Sequence, residues 1–293
     1  MGPELSHDPG DAPDNPFRRL RSRTLIPWVI VGGMGLGLVL AFAGPSSAMD
    51  PLDSPVRALI SGLALYGLPW AWIVWACRKA DVDPGRLIGR VPAGHNWLPA
   101  AGLLATTVMF SFGWSFVAGY GLSQLAPEFV GSLLTPEDAV GDSIAVSVVW
   151  PILLITIIPV TEEVLFRGVL LNRWGVKWGM GTGIVATAVI FGLLNRFDAV
   201  EATVLGVVAA LLYLQSRTLI VPIAFHAAHN LVSRVVGDAL AWEEGLAPAA
   251  KFEEIEAMAL PGVAMLAVAL PVLVWYIRRN WPSRDAGIPY MRE

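Results

Sequence analysis

Charge is what this 293-residue chain has least of: 15% of its residues are charged, against about 25% in a typical soluble domain. The scarce charge carries no basic excess either. With a formal net charge of −4, the chain lacks the basic surface that nucleic-acid binding requires, and no nucleic-acid partner is expected. Cysteine is nearly absent. A single Cys77 excludes an intramolecular disulfide and any multi-cysteine zinc site. What is present is apolar: 55% of residues are hydrophobic and the mean hydropathy is +0.59, which also excludes a disordered chain. The polar residues are bunched between long apolar runs, so the composition describes a polytopic membrane protein.

Apolar runs fall at residues 25–43, 56–76, 97–122, 143–160, 182–194, 199–214, 219–236 and 260–277. A helix needs about 20 apolar residues to cross a 30 Å hydrocarbon core. The expectation is therefore an all-α, polytopic membrane helix bundle of about eight transmembrane helices. Residues 1–24 read as a disordered basic N-terminal tail, residues 25–278 as a single transmembrane domain, and residues 279–293 as a short cytoplasmic tail.

Letting the chain alternate sides from a cytoplasmic start tests that count against the positive-inside rule. The cytoplasmic side then receives Arg18, Arg19, Arg21 and Arg23; Arg78, Lys79, Arg86 and Arg90; Arg167, Arg173 and Lys177; Arg217; and Arg278, Arg279, Arg284 and Arg292. Only Arg57, Arg196, Arg234 and Lys251 fall outside, with an acidic external loop at residues 238–256. The bias supports eight spans with both termini cytoplasmic. Small residues around Ala43 also fit a cleavable leader, but the long basic tail and near-full span length favour a retained first helix. Short loops and the lone cysteine suit a bacterial inner membrane.

An ionisable group inside a span costs about 2.5 to 3.5 kcal/mol on insertion scales, so each one needs a partner or a purpose. The first such cluster is Thr161-Glu162-Glu163-Val164-Leu165-Phe166-Arg167. Glu163 and Arg167 are four apart on a helix and can pair, which leaves Glu162 without a local cation. A carboxylate in that position is a candidate general base or acid; the plainer reading is that both glutamates mark a span end. The second cluster is His226-Ala227-Ala228-His229-Asn230, in which His226 and Asn230 share a helix face and His229 lies close to it. An imidazole beside a carboxamide can orient water, hold a metal or donate to an oxyanion, whereas the plainer reading is a polar contact between helices. A third, weaker signal is Asn195 at the end of the run that contains Phe191, where an asparagine also serves as a helix terminator. Glycines at 175, 179, 181 and 183 have no preceding strand and no following GK[ST], so they read as a tight connection rather than a phosphate loop.

A Glu-Glu-x-x-x-Arg at one span end, Phe191-x-x-x-Asn195 at the next and His226-x-x-x-Asn230 two spans on together resemble the CPBP family. These are the type II CAAX prenyl endopeptidase and bacteriocin-processing (Abi) intramembrane proteases, and the motif-bearing core covers about residues 143–236. The resemblance implies that Glu162 activates water, that Glu163 and Arg167 form a structural ion pair, that His226 shares in water activation, and that Asn230 helps stabilise the oxyanion. The family's second motif is Phe-x-x-x-His, so Asn195 is a departure: it removes an imidazole but keeps a hydrogen-bond donor. The cofactor stays open, a divalent metal such as zinc being one option with Glu162 and His226 as candidate ligands.

The expected function is an intramembrane endopeptidase that cleaves a membrane-associated peptide or protein, with membrane lipid as its other partner. Two alternatives follow from the same residues. Asn195 would suit a catalytically impaired relative acting as a membrane binding or immunity protein, and Glu162, Glu163 and His226 would suit a proton-relay transporter. The sequence ends in Tyr290-Met291-Arg292-Glu293, so the chain itself is not expected to be prenylated.

Overall fold

A computed structural model describes residues 15–43, 66–134, 150–195, 198–240, 248–283 and 286–291. Among them there are helices and no strands, as the apolar runs predict. The longer helices are α1 (Leu25–Ala43), α2 (Leu68–Ala80), α3 (Pro84–Ile88), α4 (Leu98–Leu125) and α5 (Pro127–Leu134). They continue with α6 (Trp150–Ile155), α7 (Ile157–Glu163), a π-helical segment (Val164–Leu171), α8 (Asn172–Trp178) and α9 (Met180–Leu194). The last three are α10 (Ala199–Ser216), α11 (Ile220–Ala239) and α12 (Pro248–Asn280). Three of the described helices, α4, α10 and α12, are long and apolar enough to cross a membrane, and α9 is a shorter apolar helix. The chain is a helical membrane protein.

Several expectations change in detail. The run at 143–160 is not one helix. Pro159 has no N–H to give the Ile155 carbonyl and its ring crowds that oxygen, so the helix breaks between α6 and α7 at Thr156. Residues 143–149 and 56–65 lie outside the described residues. The acidic loop expected at 238–256 is helical at both ends: Asp238 belongs to α11, and Glu253, Glu254 and Glu256 lie within α12, which starts well before its apolar stretch. Trp72 is fully buried and donates from Nε1 to Thr24 Oγ1 (3.0 Å).

The expected disordered tail is corrected where it is described. Asn15 caps a 3-10 turn by accepting from the Phe17 amide at 3.1 Å, and a second turn follows at Ser22–Thr24. Phe17 and Leu20 supply the apolar face that an average over the tail hides; they are buried, and Phe17 packs edge-on against Tyr290 with centroids 5.2 Å apart. The C-terminal segment returns to the core the same way, since the Tyr290 hydroxyl accepts from the Asp83 amide at 3.0 Å.

Helix contacts rely on small residues. Where α4 meets α12, a Cβ on Gly262 would stand 2.8 Å from Phe116 Cβ, and one on Gly113 would stand 3.0 Å from the Gly262 carbonyl oxygen, so the two backbones approach as closely as glycine permits. The connection between α8 and α9 turns at Gly179, whose φ of +86° is the conformation that only glycine adopts freely. That tight turn, read from the glycine spacing, lets α9 fold back against α8, where a Cβ on Gly183 would stand 3.0 Å from the Gly175 backbone nitrogen.

Candidate active site

Two adjacent glutamates end α7, and a helix turns about 100° per residue, so their side chains diverge. Glu163 points inward and is completely buried, as is Arg167; Glu162 keeps 22% of its side chain exposed. The pairing read from the i, i+4 spacing is present: Arg167 Nη1 donates to Glu163 Oε1 at 2.9 Å. Arg167 Nη2 donates to the Gly206 carbonyl at 2.9 Å, and a Cβ at Gly206 would lie 3.1 Å from Ala188 Cα and 3.3 Å from that nitrogen. Glycine at 206 therefore lets α10 come close enough to serve as the second acceptor. The guanidinium also stands 5.0 Å from the Phe191 ring centroid, a cation–π contact that offsets some of its desolvation.

A π-helical segment is rare, and here a side chain at its end buttresses it. Asn172 turns its Nδ2 back on the Gly168 carbonyl at 2.7 Å and the Arg167 carbonyl at 3.2 Å, and toward the Tyr213 hydroxyl at 2.9 Å. One side chain thus donates to two backbone carbonyls of the segment and to a hydroxyl on α10. Every residue from Val164 to Leu171 is buried, which fixes Arg167 in place.

His226 reaches this pair from α11. Its Nδ1 lies 2.9 Å from Glu163 Oε1, and its Nε2 lies 3.8 Å from Glu162 Oε2. A carboxylate oxygen that already accepts from Arg167 accepts again, so Nδ1 carries a proton, and Nε2 faces Glu162. The ring sits edge-on to Phe191, with centroids 5.8 Å apart and planes at 89°. Glu163 is thus more than half of an ion pair, for it also orients the imidazole.

The remaining candidates separate. His226, His229, Asn230 and Phe191 all line one cavity of about 310 Å³. Asn230 donates to the Leu154 carbonyl at 2.9 Å, and so helps hold the interrupted α6–α7 segment against α11. Asn195 reaches the edge of the same cavity, but its Nδ2 donates to the Phe191 carbonyl of its own helix at 2.8 Å, which is the helix-terminating role. The motif reading missed Ser111, whose Oγ meets His229 Nε2 at 3.3 Å, and Glu201, which accepts from Ser115 at 2.6 Å; both line the cavity. A buried serine in an apolar helix and an acid in the first turn of a span were the available signals. A second, larger cavity of about 700 Å³ is lined almost wholly by apolar groups, including Trp70, Leu153, Ile157, Val160 and Ile223, with Thr161 next to Glu162 on its wall.

All of the motif residues fall within 144–232, and that stretch matches the family model described as Rce1-like, type II CAAX prenyl endopeptidase. The site segment is Rce1-like. The match bears out the CPBP resemblance and, at the level of the family, supports an intramembrane protease. It leaves α1 to α5 and α12 outside. No curated protein and no solved structure matches the chain.

The donor set does not fit a catalytic zinc. Such a site takes three protein ligands, and no group of three His, Cys, Asp or Glu side chains that could hold a metal occurs among the described residues. Glu163 Oε1 is committed to both His226 Nδ1 and Arg167 Nη1. Glu162 and His226 Nε2 stay open toward each other, and Glu163 Oε2 is buried without a hydrogen-bond partner.

Proposed function

We propose that the protein is an intramembrane endopeptidase in which Glu162 and His226 activate a water for attack on a peptide bond. The observation that carries this reading is the 3.8 Å gap between Glu162 Oε2 and His226 Nε2. One water at ordinary hydrogen-bond length, about 2.8 Å from each, spans it, giving one proton toward Glu162 and the other toward the imidazole. Glu162 takes the proton as the water oxygen bonds to the carbonyl carbon, and gives it to the leaving amine when the C–N bond breaks. The amide of Asn230 spends one N–H on Leu154 and has a second for the oxyanion of the tetrahedral intermediate. Glu163 and Arg167 hold His226 in the tautomer that this chemistry requires.

The two cavities suit a substrate that arrives from the bilayer. The apolar one accepts a hydrophobic segment, and the polar one, with Ser111, Ser115 and Glu201 on its wall, admits water. The substrate class is therefore a membrane-associated peptide or protein, and no step runs through a metal. The eight-span layout, with both termini cytoplasmic in a bacterial inner membrane, is part of the same proposal, supported by the distribution of Lys and Arg. The experiment compares membrane peptides from cells making the wild-type protein, Glu162→Gln or His226→Ala at equal levels. Peptides that accumulate uncleaved with both variants support the reading, and an unchanged peptide set contradicts it.

A further inference from the structure

The richest concentration of positive charge lies away from the glutamates. A cavity of about 530 Å³ opens between the N-terminal segment and α8, and its wall carries Arg18, Arg19, Arg21, Arg23, Arg173 and Lys177. The N-terminal rim is not a loose basic tail. Phe17 and Leu20 anchor it in the core, and Ser22 Oγ accepts from Trp174 Nε1 at 3.1 Å, which ties it to α8. Asp81 meets Arg19 at 3.2 Å, but among the described residues no acidic side chain pairs with Arg21, Arg23, Arg173 or Lys177. Cations gathered on the wall of one cavity repel unless an anion lies among them.

We propose that this cavity binds a phosphate group. Arginine presents paired N–H donors that match phosphate oxygens, and two rims that converge from separate elements allow several to reach one group. Trp174 and Trp178 share the wall, and tryptophan favours the headgroup level of a bilayer, so a phosphodiester headgroup of an anionic lipid and a free phosphate anion are the two sources of this chemistry. The proposal is independent of any peptidase activity.

The test uses the full-length protein purified in detergent and stripped of lipid. Native mass spectrometry counts phosphatidylglycerol adducts against phosphatidylcholine adducts, and thermal melting compares inorganic phosphate with sodium chloride at equal ionic strength. The expected result is selective retention of phosphatidylglycerol, a rise in melting temperature with phosphate, or both, the first identifying a lipid source and the second alone a soluble one. Arg21→Glu with Arg23→Glu alters exposed side chains only, and a loss of about tenfold or more in that binding is expected. Arg173→Gln with Lys177→Gln weakens it from the opposite wall. Reversal of Arg278 and Arg279, which lie outside the cavity, leaves it in place. Equal retention of both lipids together with no response to phosphate overturns the proposal, as does an equal loss when Arg278 and Arg279 are reversed.

Discussion

Glu162 and Glu163 are chemically identical neighbours with opposite surroundings. Glu163 is sealed among Arg167, His226 and, through Arg167, the Gly206 carbonyl; Glu162 has partial exposure and faces His226 across a gap wider than a hydrogen bond. A single step along a helix produces this contrast, because one residue faces the packed interior and the next keeps part of its side chain exposed. The lesson is that a paired-glutamate motif divides structure from reactivity: a buried carboxylate that binds both an arginine and an imidazole through one oxygen fixes geometry, and a part-exposed one has capacity left for a substrate or a water.

The contrast can be broken most forcefully from the Glu163 side. Arg167→Ala leaves a buried carboxylate without its cation and should cost about 3–5 kcal/mol, seen as a collapse of the melting temperature or loss of folded protein from membranes. Arg167→Lys keeps the charge but cannot serve Glu163 and Gly206 together, so it should recover only part. Next in size, Asn230→Ala should slow cleavage by about 10²–10³ if its free N–H meets the oxyanion, read as turnover per folded molecule. Asn172→Ala frees two buried carbonyls and the Tyr213 hydroxyl, for a loss of about 1–3 kcal/mol in stability with turnover per folded molecule retained. Smallest is Asn195→Ala. It removes a bond to its own helix end, so both melting temperature and cleavage should stay near wild type, the stability change within about 1 kcal/mol. A large loss of cleavage there would move Asn195 from helix end to chemistry.

The parts of this arrangement that were legible in the sequence are the local ones. The i, i+4 spacing was enough to pair Glu163 with Arg167, hydropathy alone located α1, α4, α10 and α11 to within a few residues, and the glycine run implied the tight turn at Gly179. The long-range joins were not. Nothing local states that His226 bonds Glu163 across 63 positions, or that Ser111 meets His229 across 118. Averages misled elsewhere: a window over 143–160 conceals the break that Pro159 imposes, and a tail rich in arginine conceals the two residues, Phe17 and Leu20, that dock it. Asn195 shows the reverse case, since the motif suggests a reactive position and the helix end accounts for the contacts it makes.

The most direct measurement is a paired comparison of Glu162→Gln and Glu163→Gln, each scored for melting temperature and for cleavage of the membrane peptides that the wild-type protein processes. The account predicts that Glu162→Gln melts with the wild type while cleavage falls by about 10²–10⁴ or more, and that Glu163→Gln loses melting temperature as well as cleavage. Cleavage at the wild-type rate by Glu162→Gln would contradict it.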